Sequence, residues 1–417
     1  MRKGSDCVKR YVIIGNGTAA VGCIEGIRSV DREGEIYVIS EEAYHVYSRP
    51  LISYYLEGKT DTERMKYRPD DFYEKNGCKT YFGRRAVSVD IERKRVGLDD
   101  GEYLTYDKLC VATGSSPFIP PFAGLDSVAD KFSFMTLDDA LAVETAVTED
   151  TRVLIVGAGL IGLKCAEGLH GRAGSITVCD LADRILSSIL DAECAALMQK
   201  RLEENGIEFM LADTAVSFDG NKAIMKSGKT VDFDVLILAV GVRANTKLLA
   251  DAGADVNRGI IVDERMRTSV DSVFAAGDCT EGFDASLGAR RVLAILPNAY
   301  MQGHTAGVNM AGGEETFDNA IPMNSIGFFG LHAMTAGTYD GELYEEKDGD
   351  SIKRLYIKDG YLKGFMLIGR DERAGIYTSL IRDRVPLDEI DIREMKKIAS
   401  NTIFSSEKRR KRFGGVV

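Results

Sequence analysis

The sequence predicts an α/β protein with two domains that each contain a parallel sheet, followed by a C-terminal α+β domain. A pattern of apolar strand, glycine-rich turn, helix and second strand occurs twice, in segments about 140 residues apart. Strands that alternate with helices in this way form largely parallel sheets. Beyond about residue 316 the pattern changes to apolar strands that pair through Lys-Asp-Gly turns, which favours antiparallel hairpins.

The composition supports this prediction and excludes several classes of protein. A chain of 417 residues is long enough for two or three domains. Its 43 glycines and 8 prolines favour many tight turns between strands and helices. The formal charge of −11 argues against nucleic acid as the main partner, because phosphate binding requires a basic face. We expect no membrane span and no secretory signal, since no apolar run is long enough.

The cysteines and histidines predict neither a disulfide nor a metal site. The eight cysteines contain no CxxC or CxxxxC pair, and several fall inside predicted strands or helices. Buried free thiols of this kind are typical of the reducing cytoplasm, where we expect this protein. The four histidines have no metal-ligand spacing.

The first repeated unit predicts a dinucleotide site. Gly15, Gly17 and Ala20 form a GxGxxA turn after an apolar strand. The first glycine allows the tight turn, the second lets the backbone approach a pyrophosphate, and the small third residue packs the helix on the sheet. Glu41 follows the next strand, where a carboxylate accepts hydrogen bonds from ribose hydroxyls.

The second unit predicts another nucleotide site. Gly157, Gly159 and Gly162 form a complete GxGxxG turn, and Asp180 ends the next strand. A carboxylate there accepts from a free 2′-hydroxyl and repels a 2′-phosphate, which favours NADH over NADPH. The nearby Arg184 weakens this preference. With two such turns in one chain, we expect FAD at one site and NADH at the other.

Further motifs, in order along the chain, resemble those of the FAD-dependent pyridine nucleotide–disulfide oxidoreductases. Thr113 and Gly114, in "YDKLCVATGS", match the family motif where the chain crosses between domains. Gly241 lies in "VLILAVGVRANTKLL", which is similar to the return crossing. Asp278, in "TSVDSVFAAGDC", matches the aspartate that binds the flavin's ribityl chain in the family. The helix that follows resembles one whose positive end faces the flavin.

The resemblance implies a fold and a division of the chain. The fold has two Rossmann-like domains, for FAD and NAD, and a C-terminal α+β domain. The implied division is an FAD-binding domain in two parts (1–116 and 244–316), an NAD-binding domain (117–243) and a C-terminal interface domain (317–417). Because related proteins with this architecture are monomers or homodimers, we leave the oligomeric state open.

One departure from the family pattern bears directly on function. The disulfide reductases carry a CxxxxC pair, and several relatives a single cysteine, in the stretch that reads "AYHVYSRPLISYYLEG" here, without any cysteine. Disulfide or peroxide reduction is therefore disfavoured, because it requires a thiolate beside the flavin. "YSRPLISYYLEG" instead resembles NADH:rubredoxin reductases, in which the arginine at the position of Arg49 contacts FAD. A guanidinium suits a pyrophosphate.

A second departure suggests a role in catalysis. In many relatives a lysine after the Arg-Pro pair meets a glutamate beyond the second glycine turn, beside the flavin's reactive nitrogen. Tyr54 stands here in the lysine position and Lys164 in the glutamate position. We therefore hypothesise a lone cation near a phenol, where Lys164 stabilises reduced, anionic flavin. The alternative is an ordinary solvated lysine on a helix.

These inferences predict an enzyme that passes hydride from NADH to FAD and then electrons to a rubredoxin, ferredoxin or iron–sulfur subunit. One alternative is an NADH oxidase or quinone reductase that uses a small acceptor directly. Another is an electron-transfer subunit of a larger complex, and a binding module that only senses NADH fits least well. The basic run from Lys408 to Arg412 is interpreted as a solvated tail, with docking to an acidic partner as the alternative.

Overall fold

The computed structural model describes residues 8–370, 373–397 and 400–405. The first part of the chain contains β1 (Arg10–Ile14), α1 (Thr18–Val30), β2 (Glu35–Ser40), α2 (Leu51–Leu56), α3 (Phe72–Lys75), β3 (Cys78–Phe82), β4 (Ala86–Asp90), β5 (Arg95–Leu98), β6 (Tyr103–Thr105) and β7 (Lys108–Val111). The next part contains β8 (Ser115–Pro117), β9 (Lys131–Phe132), α4 (Leu137–Ala146), β10 (Arg152–Val156), α5 (Leu160–Leu169), β11 (Ser175–Asp180), α6 (Ala192–Glu203), β12 (Ile207–Leu211), β13 (Ala215–Asp219), β14 (Lys222–Met225), β15 (Thr230–Asp232) and β16 (Val235–Leu238).

The chain then returns towards the first sheet and ends in a separate sheet. The returning part contains β17 (Val242–Ala244), α7 (Lys247–Ala250), β18 (Ile260–Ile261), β19 (Val273–Ala275), β20 (Thr280–Asp284), β21 (Ala289–Arg291) and α8 (Leu296–Ala311). The last part contains β22 (Met323–Phe328), β23 (Leu331–Gly337), β24 (Glu342–Asp348), β25 (Ser351–Lys358), β26 (Tyr361–Ile368), α9 (Ala374–Arg382) and α10 (Ile392–Lys397). Short 3-10 helices lie at Leu125–Ser127, Leu387–Glu389 and Asn401–Ile403.

Two five-stranded parallel sheets have the same plan, which confirms the predicted repeat. The first has the strand order β19-β7-β1-β2-β3 and the second β12-β11-β10-β16-β9. After an initial arginine, the central strands β1 and β10 are apolar and buried, as expected where helices cover both faces of a parallel sheet. The apolar stretches of the motifs "YDKLCVATGS", "VLILAVGVRANTKLL" and "TSVDSVFAAGDC" form β7, β16 and β19. Since β19 joins the first sheet, that domain is completed by two separate parts of the chain.

Glycines allow α1 and α8 to pack closely behind the first sheet. A Cβ atom on Gly26 would lie 2.2 Å from the backbone oxygen of His304. A Cβ on Gly307 would lie 2.1 Å from the backbone oxygen of Cys23. Only residues without a side chain permit this approach, so the two helices fix the returning part of the chain against the first part.

Two short strands carry the chain between the parallel sheets. β8 and β17 are antiparallel partners, with Ser116 opposite Arg243. The Asn245 side chain joins them, because its Nδ2 donates to the Thr113 oxygen at 2.9 Å and its Oδ1 accepts from Ser116 Oγ at 2.8 Å. The two motifs identified as crossings therefore lie side by side.

The C-terminal sheet is antiparallel, as the sequence predicts, with the order β22-β23-β26-β25-β24. The predicted Lys-Asp-Gly turn joins β25 to β26, where Asp359 and Gly360 have φ values of 53° and 77°. Positive φ at both positions suits a tight hairpin. The basic run Lys408–Arg412 lies outside the described residues. None of the helices in the described residues is long and apolar enough to cross a membrane.

Candidate nucleotide sites

A cavity of about 760 Å³ lies at the carboxyl ends of the first sheet's strands. Crevices at this edge of an open α/β sheet are the usual ligand-binding positions. The first glycine turn, the end of β2, the loop before α2 and the start of α8 all contribute to its lining. The cavity brings together most of the residues that the sequence identifies as FAD-binding: Gly15, Gly17, Glu41, Arg49, Thr113, Gly114 and Asp278.

The first glycine turn has the geometry that a pyrophosphate requires. Gly15 has φ +119°, and a Cβ there would lie 2.1 Å from the Ala112 oxygen. Gly17 precedes α1, and a Cβ at this position would have no neighbouring atom within 4 Å, so the backbone faces open space. Ala20 lies behind the turn and is fully buried. The first position thus serves the fold, whereas the second leaves room for a ligand at the helix N-terminus.

The second turn repeats this geometry closely. Gly157 has φ +118°, with a Cβ position 2.2 Å from the Ala239 oxygen, and Gly159 again faces open space. A Cβ on Gly162 would lie 2.1 Å from the Gly157 oxygen, so α5 packs directly on the turn. A second nucleotide can therefore approach α5 as the first approaches α1.

Asp180 lies at the end of β11 and is held against the second turn. Its carboxylate accepts hydrogen bonds from the Ala158 amide at 2.6 Å and from the Ala182 amide at 2.8 Å. Arg184, which the sequence places nearby, pairs with Asp183 at 2.9 Å. Asp180 therefore presents a fixed negative group beside the turn.

Arg49 is part of a cluster with Glu42 and Tyr47 that the sequence did not reveal. The Arg49 guanidinium forms an ion pair with Glu42 and donates to the Met135 oxygen at 3.0 Å. Tyr47 donates to Glu42 at 2.5 Å and accepts from the Leu137 amide at 2.9 Å. Burial raises the pKa of Tyr47, so the phenol stays protonated. The cluster holds Arg49 at the cavity wall.

Glu41 and Glu42 occupy different environments although they are adjacent. The Glu41 side chain is 75% exposed and forms a long ion pair with Arg85, at 4.0 Å. The Glu42 side chain is 20% exposed and forms the cluster described above. Both line the cavity. The doubled glutamate in "SEEAYHVYSR" is the one signal that could have drawn attention to Glu42.

The remaining predicted residues lie around the crossing. Burial raises the pKa of Asp278 above its ordinary value, and the Arg49 guanidinium opposes that rise. Thr113 donates from Oγ1 to the Asn245 oxygen at 3.0 Å, and Gly114 has φ +64°. Gly241, with φ +112°, accepts from the Phe118 amide at 2.9 Å and does not line the cavity.

The structure corrects the hypothesis that Lys164 is a lone cation. Its Nζ pairs with Glu167 at 2.6 Å and donates to the Gly327 oxygen at 2.6 Å, so it is neither unpaired nor solvated. The Glu167 carboxylate also accepts from the Phe329 amide at 2.8 Å. The expected neighbour Tyr54 is present, with its ring centre 5.5 Å from the Lys164 nitrogen. Lys164 thus fastens α5 to the C-terminal sheet.

No cysteine among the described residues lines the cavity. Six of the seven described cysteines are buried, and Cys78 is partly buried. Cys279 follows Asp278 directly, but burial raises the pKa of its thiol to about 12. Its Sγ lies 3.3 Å from the Ala276 oxygen, inside the core. A thiol with so high a pKa is a poor nucleophile near neutral pH.

The described part of the chain contains no group of three or more His, Cys, Asp or Glu that could hold a metal ion. The residues that are present fit two dinucleotides instead. Open helix N-termini at Gly17 and Gly159 suit pyrophosphates, while Arg49 and Asp278 lie where a flavin nucleotide would extend from the first turn.

Comparisons with known proteins agree with this geometry. The epsilon subunit of NADH-dependent phenylglyoxylate dehydrogenase from Aromatoleum evansii is 33% identical over 393 residues, covering 91% of this chain and 92% of that protein. Rubredoxin-NAD(+) reductase from Pseudomonas putida is 30% identical over 307 residues, covering 72% of this chain and 80% of that protein. The chain spans about half the length of some other relatives.

Solved structures show the same fold. The covalent putidaredoxin reductase–putidaredoxin complex has a TM-score of 0.85 at 22% identity, covering 98% of this chain and 99% of that one. The sequence profile of the pyridine nucleotide-disulphide oxidoreductases matches residues 9–303. Together with the two glycine turns, this match shows an FAD- and NAD(P)H-dependent enzyme. The chain belongs to the pyridine nucleotide-disulphide oxidoreductase family.

Proposed function

We propose that this protein transfers electrons from NADH, through FAD, to a one-electron carrier of the rubredoxin, ferredoxin or iron–sulfur type. The observation that carries the proposal is the absence of a thiol from the cavity wall in the described residues. Without a thiolate beside the flavin, the described part of the chain offers no second redox group that could accept electrons from the reduced flavin. An external carrier is then the acceptor that best fits the site.

Each group of site residues has a task in this proposal. Gly15, Gly17 and Arg49 hold the FAD pyrophosphate, and Asp278 binds the ribityl chain. Bound flavin supplies the chemistry, because it accepts a hydride and releases electrons singly. The protein contributes position and exclusion of water rather than an acid or base.

The second turn determines the coenzyme. Gly157, Gly159 and Gly162 receive the NADH pyrophosphate, and Asp180 accepts from the adenosine ribose. Asp180 disfavours a 2′-phosphate by charge, and Arg184 is already paired with Asp183. We therefore propose NADH as the physiological reductant.

The relatives support an electron carrier as the acceptor. One is named for its reduction of rubredoxin, and the fold matches that of a reductase captured with putidaredoxin. Another is a subunit of an NADH-dependent dehydrogenase, which supports the alternative of an electron-transfer subunit in a larger complex.

Free thiols throughout the described chain agree with a cytoplasmic location.

Anaerobic stopped-flow spectroscopy tests the proposal. The purified holoprotein is reduced with NADH or NADPH, and the reduced protein is then mixed with rubredoxin, ferredoxin or oxygenated buffer. We expect faster flavin reduction by NADH than by NADPH, and faster reoxidation by a carrier than by oxygen. An Asp180→Ala variant should lose discrimination between the two coenzymes while its reoxidation by the carrier stays unchanged.

Other outcomes identify the alternatives. Rapid reoxidation by oxygen or a quinone, with no response to either carrier, would indicate an enzyme for small acceptors. Reoxidation only after an iron–sulfur protein that co-purifies is added back would indicate a subunit. Failure of both coenzymes to reduce the flavin would refute the proposal.

A further inference from the structure

The segment 180–191 connects β11 to α6 and borders the second glycine turn. Besides the bond from the Ala158 amide to Asp180, the Leu186 amide donates to the Ala158 oxygen at 2.9 Å. This segment therefore holds both polar groups of the Ala158 backbone. Any shift of the segment would move the turn that receives the pyrophosphate.

The segment does not owe its conformation to regular secondary structure. No helix or strand lies between Asp180 and Asp191. Leu186 has φ +49°, a left-handed conformation that costs free energy for a residue with a side chain. Such a conformation persists only where surrounding contacts enforce it.

Two side chains of the C-terminal domain contact this segment: Arg354 on β25 and Tyr339 in the turn between β23 and β24. Tyr339 donates from its hydroxyl to the Ile189 oxygen at 3.0 Å. Arg354, which is 7% exposed, pairs with Asp191 at the end of the segment. The same guanidinium pairs with Glu193 on α6 and with Glu345 on β24, the latter at 2.6 Å.

The geometry of Arg354 makes it a rigid anchor. Its planar guanidinium is shared among three carboxylates from two domains, and a buried cation with this set of partners has little freedom to move. Asp191 also caps α6, because its Oδ1 accepts from the Cys194 amide at 3.0 Å. Arg354 therefore fixes the point where the segment enters the helix.

We propose that Arg354 and Tyr339 are positioning residues for NADH, although they belong to the domain that carries neither glycine turn. They hold segment 180–191 so that Asp180 and Ala158 keep the arrangement that receives the adenosine half of the coenzyme. The inference rests on the NADH site proposed above. It assigns a task in coenzyme binding to the C-terminal domain.

The test measures how flavin reduction depends on NADH concentration in Arg354→Met and Tyr339→Phe. In Arg354→Met the segment is no longer anchored. If it then spends about a tenth of the time in the conformation that binds NADH, the apparent Kd for NADH rises about tenfold. In Tyr339→Phe, which loses one hydrogen bond, we expect a rise of about threefold. The limiting rate of flavin reduction and the FAD content should stay unchanged in both variants.

Reduced nicotinamide mononucleotide separates positioning from general damage. It lacks the adenosine half of NADH, so its second-order rate of flavin reduction should be the same in the variants and in the wild type. The matched control is Arg382→Met in the same domain, which removes an exposed pair with the neighbouring Asp383 at the end of α9. That variant should bind NADH normally.

Two results would overturn the inference. One is an unchanged Kd for NADH in Tyr339→Phe, the milder variant, which decides the matter if Arg354→Met does not fold. The other is an equal loss of flavin reduction with NADH and with the mononucleotide.

Asp180→Ala distinguishes failure of the positioning role from failure of the proposed site. If it raises the Kd while the anchor variants do not, only the positioning role fails; if none of the three variants raises it, the NADH site itself is misplaced.

Discussion

Among single residues, the first two glycines of a glycine turn are required for different reasons. Gly157 has φ +118° and no room for a Cβ, whereas Gly159 has an ordinary φ of −81° and open space around it. We predict that Gly159→Ala keeps the thermal stability and FAD content of the wild type but raises the Kd for NADH, because its methyl group occupies the ligand's approach. Gly157→Ala should instead reduce the yield of folded protein.

Differential scanning fluorimetry and NADH titration check this pair of variants. Gly17→Ala provides the matching comparison in the first turn, where FAD retention rather than NADH binding should weaken. Equal loss of stability in the Gly157 and Gly159 variants would show that the second glycine has a structural role, contrary to the geometry.

Substitutions of Lys164 and of Glu167 should shift the flavin midpoint potential in opposite directions. From the family resemblance we expect the position of Lys164 to lie beside the flavin's reactive nitrogen, where a cation would stabilise the reduced, anionic form. Lys164→Met should lower the flavin midpoint potential, and Glu167→Gln, which leaves the cation unneutralised, should raise it. Potentiometric titration with indicator dyes measures both. Shifts in the same direction would point to altered packing rather than charge.

Among the helices and strands, the start of α4 closes one side of the cavity. Thr136 caps the helix by accepting from the Asp139 amide at 3.1 Å, and the Asp139 side chain accepts from the Thr136 amide at 3.0 Å. Met135 and Leu137, on either side of the cap, contact Arg49 and Tyr47. The cap therefore supports the arginine that we expect to hold FAD.

We predict that Thr136→Ala lowers the free energy of unfolding by about 1 kcal/mol, the usual cost of a lost helix cap. FAD should also dissociate faster, because the start of α4 holds Arg49 less firmly. Thr136→Ser keeps an oxygen at the cap and should behave like the wild type. Chemical denaturation and the release of flavin fluorescence measure the two effects, and normal FAD retention in Thr136→Ala would separate α4 from the cofactor site.

The sequence predicts those features of these elements that depend on interactions between residues close together in the chain. The glycine turns and the strands around them could be predicted because close backbone packing restricts which residues fit within a few positions. The contact of Arg49 with Met135 spans 86 residues, and no local pattern announces it. By contrast, Lys164 and Glu167 are three residues apart on a helix, a spacing that brings side chains together. That ion pair could have been predicted.

For the molecule as a whole, the position of the thiols relative to the flavin cavity determines how many electrons the protein can accept. The described cysteines are buried or partly buried and lie outside the cavity, so no dithiol is available there to take electrons from the flavin. A disulfide beside the flavin would accept two further electrons on reduction to a dithiol. This chain should accept only the two that one flavin holds.

We therefore predict that anaerobic titration consumes one equivalent of NADH per bound FAD. The flavin absorbance should fall to its endpoint at that ratio, without the long-wavelength band that a thiolate stacked on oxidised flavin produces. Alkylation of accessible thiols before the titration should leave the endpoint unchanged, since burial raises the pKa of Cys194 and Cys279 to about 12 and keeps both in the unreactive thiol form. Consumption of two equivalents, abolished by alkylation, would reveal a second redox centre and redirect the search for the acceptor towards disulfides.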